Sequence, residues 1–194
     1  GSTPKSVYQL LSERDIEWEK VDIFLGDERC VDPKSELSNS LMLKNSLLTK
    51  YGSKAFFYEI FSDKKVDDNI SKNLLISKLN EKCNGKPPSF DLTLLGLGDD
   101  GHTASLFPYQ KDNNADDLVI FNEGKGLKRI SLTPKVLSAS SNIIFLVSGA
   151  SKQLALQRLL DKDESQERTP SKLIKSSNQI SIFCDEESSK ELSI

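Results

Sequence analysis

Three apolar runs in this 194-residue chain each stop at a glycine. Residues 21–25 run into Gly26, residues 90–95 into Gly96 and Gly98, and residues 142–147 into Gly149. Strands that are apolar along their length are buried on both faces, the condition met in parallel sheets covered by helices. Segments of helical periodicity lie between them. The first runs to Ser12, with Thr3 as a cap, Pro4 in the first turn and Val7, Leu10 and Leu11 as an apolar face. Others lie at 39–48, where Leu41, Leu43, Leu47 and Leu48 recur at helical spacing, at 66–80 and at 151–160. Further strands are expected at 55–60, 118–122, 128–132 and 179–184, and short helices at 134–139, 170–174 and 187–192. Residues 109–117 read as a surface loop and 161–169 as a charged linker. This alternation predicts an α/β fold of three layers, a Rossmann-like and mostly parallel sheet with helices on both faces. No repeat, low-complexity stretch or domain boundary interrupts it, so one domain is expected.

Composition narrows the partners. A net charge of -3 gives no general attraction to nucleic acid or to an anionic membrane, so any site for a phosphorylated ligand must be local. No apolar stretch approaches the ~20 residues that span a bilayer. The three cysteines, Cys30, Cys83 and Cys184, are widely spaced and form no CxxC pair, which fits neither a disulfide framework nor a zinc site and suits a reducing cytoplasm.

The chemistry concentrates after the second apolar run. Residues 94–108 read Leu-Leu-Gly-Leu-Gly-Asp-Asp-Gly-His-Thr-Ala-Ser-Leu-Phe-Pro and hold the chain's single histidine, His102. Strand ends are where open α/β sheets place ligands, and histidine is the side chain suited to proton transfer near neutral pH. His102, with Asp99 and Asp100 beside it, is the leading catalytic candidate. Those three residues also permit a metal reading, but with no second histidine no metal is expected. Gly96-Leu-Gly-Asp-Asp-Gly matches GxGxxG, yet no amphipathic helix follows, so no nicotinamide cofactor is expected. Ser105 lacks a Gly-x-Ser-x-Gly setting and reads as packing rather than as a nucleophile.

Three other clusters sit at strand ends or helix starts. Gly1-Ser2-Thr3-Pro4 is either a capped helix or a phosphate turn with two hydroxyls. Gly149-Ala-Ser-Lys152 follows the same logic, with Lys152 either a surface lysine or a point charge for phosphate. In Asp27-Glu28-Arg29, the arginine can grip an anionic or hydroxylated ligand while a carboxylate orients it, or the three can form a solvated charge cluster.

Taken together, these segments resemble the 6-phosphogluconolactonase family. Gly-Ser-Thr-Pro-Lys5 is similar to the family's GGSTP segment, Val-Asp-Ile-Phe-Leu-Gly-Asp-Glu-Arg-Cys-Val31 to its strand and DER turn, and Ser38-Asn39 to its Ser-Asn. Phe90 to Pro108 is nearly the family signature, and Arg129-Ile-Ser-Leu-Thr133, Gly149 to Lys152 and Pro170-Ser-Lys-Leu173 resemble later segments. The resemblance implies a glucosamine-6-phosphate deaminase-like fold in which a helix and a strand normally precede the GGSTP turn. Residues 1–194 are therefore expected to be one catalytic domain short of those elements. It implies hydrolysis of 6-phospho-D-glucono-1,5-lactone without a cofactor, by a monomer or weak homo-oligomer. His102 would be the general base, Asp100 (or its neighbour Asp99) its partner, and Arg29 or backbone N–H groups the oxyanion stabiliser. Ser2, Thr3, Asp27, Asn39, Arg129 and Lys152 would bind the sugar phosphate. The alternatives are a deaminase-like sugar-phosphate isomerase and a non-catalytic sugar-phosphate sensor. Ala104-Ser-Leu-Phe-Pro108 lacks the glutamate of the deaminase turn, and no helix-turn-helix segment accompanies the domain.

Overall fold

The computed structural model describes residues 2–61, 67–190 and 192. Gly1, Val66 and the side chains of Ser2 and Thr3 lie outside the described residues, and with them the phosphate-turn reading of the first three positions. The helices are α1 (Ser2–Ser12), α2 (Asn39–Lys44), α3 (Asp68–Lys82), α4 (Pro134–Ser138), α5 (Gln153–Leu160) and α6 (Glu186–Ser189). The strands are β1 (Asp22–Phe24), β2 (Asp27–Arg29), β3 (Phe56–Tyr58), β4 (Leu92–Gly96), β5 (Val119–Gly124), β6 (Leu127–Leu132), β7 (Asn142–Val147) and β8 (Ile180–Cys184).

Parallel pairing joins β1 to β3, and β4 to β7 to β8. The α/β class expected from the glycine-ended runs is the class observed. A third group, β2, β6 and β5, pairs antiparallel and is a sheet of its own. The Asp27-Glu28-Arg29 segment, expected as a turn, is therefore a strand. Its backbone groups lie in a partly buried setting and need partners, which the edge of β6 supplies. The β5–β6 connection is Lys125-Gly126, both at positive φ (53° and 77°). That geometry matches the twist of two-residue hairpins.

Smaller departures have local causes. Thr3 lies inside α1 rather than before it. Leu10, expected on the buried face of α1, is 61% exposed, because a stripe through Val7, Tyr8 and Leu11 leaves position 10 about 100° away around the helix. The helix expected at 151–160 starts as a 3-10 turn, Ala150–Lys152, before α5 begins. The 109–117 loop holds a 3-10 turn, Lys111–Asn114, pinned by the buried Asn113, whose amide donates to the Phe107 carbonyl (2.7 Å).

The core lies between these layers. β7 buries Ile143, Phe145 and Val147 in strict alternation, and α3 adds Leu75 and Leu79. Burying one such side chain contributes about 1.5–3 kcal/mol, so the strand ends that carry polar chemistry are held by a stiff apolar frame. No helix among the described residues is long and apolar enough to cross a membrane.

Candidate active site

β4 ends at Gly96, and the chain then folds back on itself within six residues. Gly98 N–H donates to the His102 carbonyl (2.7 Å) and Gly101 N–H to the Gly98 carbonyl (3.0 Å). Gly101 sits at φ +89°, and a Cβ there would lie 3.0 Å from the Thr169 methyl, so the position demands glycine on two counts. A Cβ on Gly98 would collide with the imidazole of His102 and with Asp100. The Thr103 hydroxyl closes the turn by donating to the Gly96 carbonyl (2.8 Å).

This turn separates the two neighbouring acids. Asp100 Oδ1 lies 2.5 Å from His102 Nδ1 and also accepts the His102 backbone N–H (3.0 Å). Burial pushes the Asp100 carboxyl up, but the His102 ring and amide outweigh it and hold the group well below the usual carboxylate range. An ionised acceptor at Nδ1 requires the ring proton to sit on Nδ1, which leaves Nε2 as the basic nitrogen. Asp99 points elsewhere and pairs with Lys125 at 2.6 Å. The choice between the two acids as partner of His102, open in the sequence, goes to Asp100 on distance.

The second half of the site comes from the antiparallel sheet. Register places Asp27 opposite Ser131 and Arg29 directly opposite Arg129. Two facing guanidiniums repel unless anions lie near, and Asp27 Oδ2 stands 3.7 Å from Arg129 Nη1. Arg129 is 6% exposed, its Nε donating to the Gly124 carbonyl (3.3 Å), and burial lowers its pKa against the pull of Asp27. Arg29 Nη1 donates to the Leu37 carbonyl (2.7 Å), while its buried Nε has no hydrogen-bond partner among the described residues. Asp27 also accepts from Ser105 Oγ (2.5 Å) and from the Asn39 amide (3.3 Å). Asn39 is held further by the Asp27 carbonyl (2.9 Å).

Phe107 joins the halves. Its ring centroid is 4.7 Å from that of His102 and 5.2 Å from the Arg129 guanidinium carbon. Through Phe107 the Asp100–His102 pair is thus linked to Arg129, Asp27 and Asn39, and strand register sets Arg29 beside them. Lys152 stands apart: among the described residues no hydrogen bond or ion pair ties it to the turn, and it lies in the 3-10 turn that follows β7.

A carboxylate–imidazole pair, one buried and one half-buried arginine and a fixed amide can orient an anionic, hydroxylated ligand beside a base. Asp99, Asp100 and His102 also place one ligand atom each within 4.8 Å of one another, so they are the group that can hold a divalent ion among the described residues. To do so they would give up the Lys125 ion pair and the Asp100–His102 hydrogen bond.

The family profile described as "Glucosamine-6-phosphate isomerases/6-phosphogluconolactonase" matches residues 1–182. The chain belongs to that family. A 6-phosphogluconolactonase of Nostoc sp. is 33% identical over 200 residues, covering 100% of this chain and 82% of that one. The crystal structure of devB protein superposes with a TM-score of 0.87 at 29% identity, over 100% of this chain and 84% of that one. A 6-phosphogluconolactonase structure from Shewanella baltica gives 0.83 at 26% identity, over 95% and 80%.

Three contributors to this candidate site have no obvious mark in the sequence. Glu28 is 1% exposed and accepts from the backbone of Arg29, Asn39 and Ser40 and from the Ser38 hydroxyl, at 2.7–3.1 Å. A buried carboxylate in a DER triplet was indistinguishable from a solvated one by composition. Phe107 reads in sequence as core. The 161–169 segment, expected as a charged linker, instead backs the histidine turn: Thr169 is fully buried against Gly101, and just beyond the segment Ser171 N–H donates to the Gly101 carbonyl (3.0 Å).

Proposed function

We propose that this protein hydrolyses 6-phospho-D-glucono-1,5-lactone to 6-phospho-D-gluconate, with His102 as general base. The observation that carries the reading is the 2.5 Å Asp100–His102 contact, which directs the basic Nε2 of a partly accessible imidazole away from its carboxylate. A lactone is an activated ester, so one positioned base and one water suffice. Nε2 takes a proton from water as the hydroxide oxygen bonds to the lactone carbonyl carbon. The resulting oxyanion collapses, the bond to the ring oxygen breaks, and His102 returns the proton to that oxygen. Arg29, with its unpartnered Nε, offers a charge-assisted donor to the oxyanion. Asp27 and Asn39 orient the sugar hydroxyls. Arg129, Lys152, Ser2 and Thr3 take the phosphate. Family membership supports the substrate class, and the absence of a required redox or electrophilic step in lactone hydrolysis supports a mechanism run by side chains alone.

The test is turnover of fresh lactone, coupled to an NADP-linked 6-phosphogluconate dehydrogenase, with spontaneous hydrolysis subtracted. His102→Ala is expected to lose about 100-fold or more in kcat, the usual share of general base catalysis. Near-wild-type turnover in that variant would overturn the role of His102. Deamination of glucosamine 6-phosphate by the wild-type protein, with no lactonase activity, would overturn the substrate.

A further inference from the structure

Asp27 and Arg129 face each other without closing. Asp27 Oδ2 lies 3.7 Å from Arg129 Nη1, although the two side chains are only 18% and 7% exposed. A carboxylate facing a guanidinium in so dry a setting ordinarily draws in to about 2.7–2.9 Å, often through two parallel hydrogen bonds. The attraction is stronger still here, because strand register sets Arg29 opposite Arg129 and adds a second positive charge to the first. The carboxylate is therefore held back.

The group that holds it belongs to Ser105, a residue that reads in sequence as packing. Ser105 Oγ donates at 2.5 Å to Asp27 Oδ2, the same oxygen that faces Arg129. Ser105 is fully buried, and its backbone is fixed at both ends: its N–H donates to Ser131 Oγ (3.2 Å) and its carbonyl accepts from the Asn122 amide (2.8 Å). Asn122 is held in turn by Asn113 Oδ1 (2.9 Å). The hydroxyl thus cannot follow the carboxylate towards the arginine. On the other side, the Asn39 amide holds Asp27 Oδ1 (3.3 Å). Among the described residues the Arg129 side chain makes one hydrogen bond, from Nε to the Gly124 carbonyl (3.3 Å), and its two Nη groups make none.

We infer that Ser105 is a positioning residue: its hydroxyl withholds the Asp27 carboxylate from Arg129 and so keeps the guanidinium open to an anionic ligand. Without that bond Asp27 turns onto Arg129, the pair neutralises itself, and an incoming phosphate must displace a carboxylate of the same chain. A side chain that merely packs would leave the spacing of the pair unchanged. The ligand half of this inference rests on the lactonase reading, which gives the phosphate to Arg129, whereas the geometric half does not.

Crystal structures of the wild-type and Ser105→Ala proteins, together with calorimetric titration of 6-phosphogluconate, test it. In Ser105→Ala the Asp27–Arg129 separation is expected to close from 3.7 Å to about 2.8 Å, and the Kd for 6-phosphogluconate to rise about tenfold. Asp27→Asn removes the carboxylate that Arg129 would capture, so adding Ser105→Ala to it is expected to change Kd less than about twofold. Ser105→Cys fills the same space with a weak donor and is carried through the same measurements, so the outcome does not depend on how one variant folds. The inference is overturned by variant structures in which the 3.7 Å gap persists, or by an unchanged Kd once the gap has closed. It is equally overturned by the same loss of affinity from Ser105→Ala with and without the Asp27 carboxylate. The structures need no ligand, so wild-type protein that fails to bind 6-phosphogluconate overturns the lactonase reading, while the separation still decides the role of Ser105.

Discussion

The histidine turn follows β4, and a cleft of about 570 Å³ parts β4 from β1, yet one is saturated with hydrogen bonds and no ladder among the described residues crosses the other. Within Gly96 to Thr103, contacts between residues two to seven positions apart fix the carbonyls, the imidazole and the acid. The cleft has no such local wiring, because β1 pairs with β3 and β4 with β7, strands distant in sequence. The contrast teaches that a reactive side chain can be positioned by its near neighbours in sequence, whereas the sheet that carries it depends on pairing between distant ones.

Breaking the turn at its acid has the largest expected effect. Asp100→Asn leaves the shape but removes the fixed proton on Nδ1, and is expected to lower kcat about 100-fold or more, against less than about threefold for Asp99→Asn. The same lactonase assay reads both, and equal losses would erase the distinction between the acids. Since Asp100 is held well below the usual carboxylate range, it stays ionised as pH falls.

Next in size is Glu28, whose carboxylate gathers four donors behind the arginine pair. Glu28→Ala is expected to cost about 3 kcal/mol, since hydrogen bonds to a buried charge are the strong ones. Urea unfolding checks this, and a midpoint equal to wild type would show that α2 and Asn39 hold themselves. Gly98→Ala should unfold at nearly the same urea concentration but lower kcat about tenfold, because the new methyl displaces the imidazole rather than the core. A large stability loss with normal kcat would mean the turn yields before the ring does.

The smallest effect concerns the segment behind the turn. The Arg168 guanidinium, despite burial and with help from Thr169, brings the Glu164 carboxyl down to about 2. A depressed carboxyl stabilises the fold above its ordinary pKa of 4.5 and loses that contribution as pH falls towards 2. Glu164→Gln should therefore flatten the fall in melting temperature between those pH values and leave the neutral-pH lactonase rate within about twofold. An unchanged acid profile would remove Glu164 from the support of the histidine turn.

Much of this was legible before the fold was seen. The glycine-ended apolar runs imply the α/β class, since only buried parallel strands need such sequences, and the His102 turn shows itself because its parts are contiguous. Glu28 was not legible, because burial depends on where α2 lands ten residues later. Segment 161–169 was not, because its charged composition hides the inward turn of Glu164 and Thr169.

Sequence alone determined the class of fold and the short-range turn that carries His102, both through interactions within a few residues. Only the tertiary structure decided which acid faces His102, that Arg29 stands opposite Arg129, and that an apolar cleft parts β1 from β4. Those depend on strand register and long-range packing, where each contact joins residues that local propensity cannot relate.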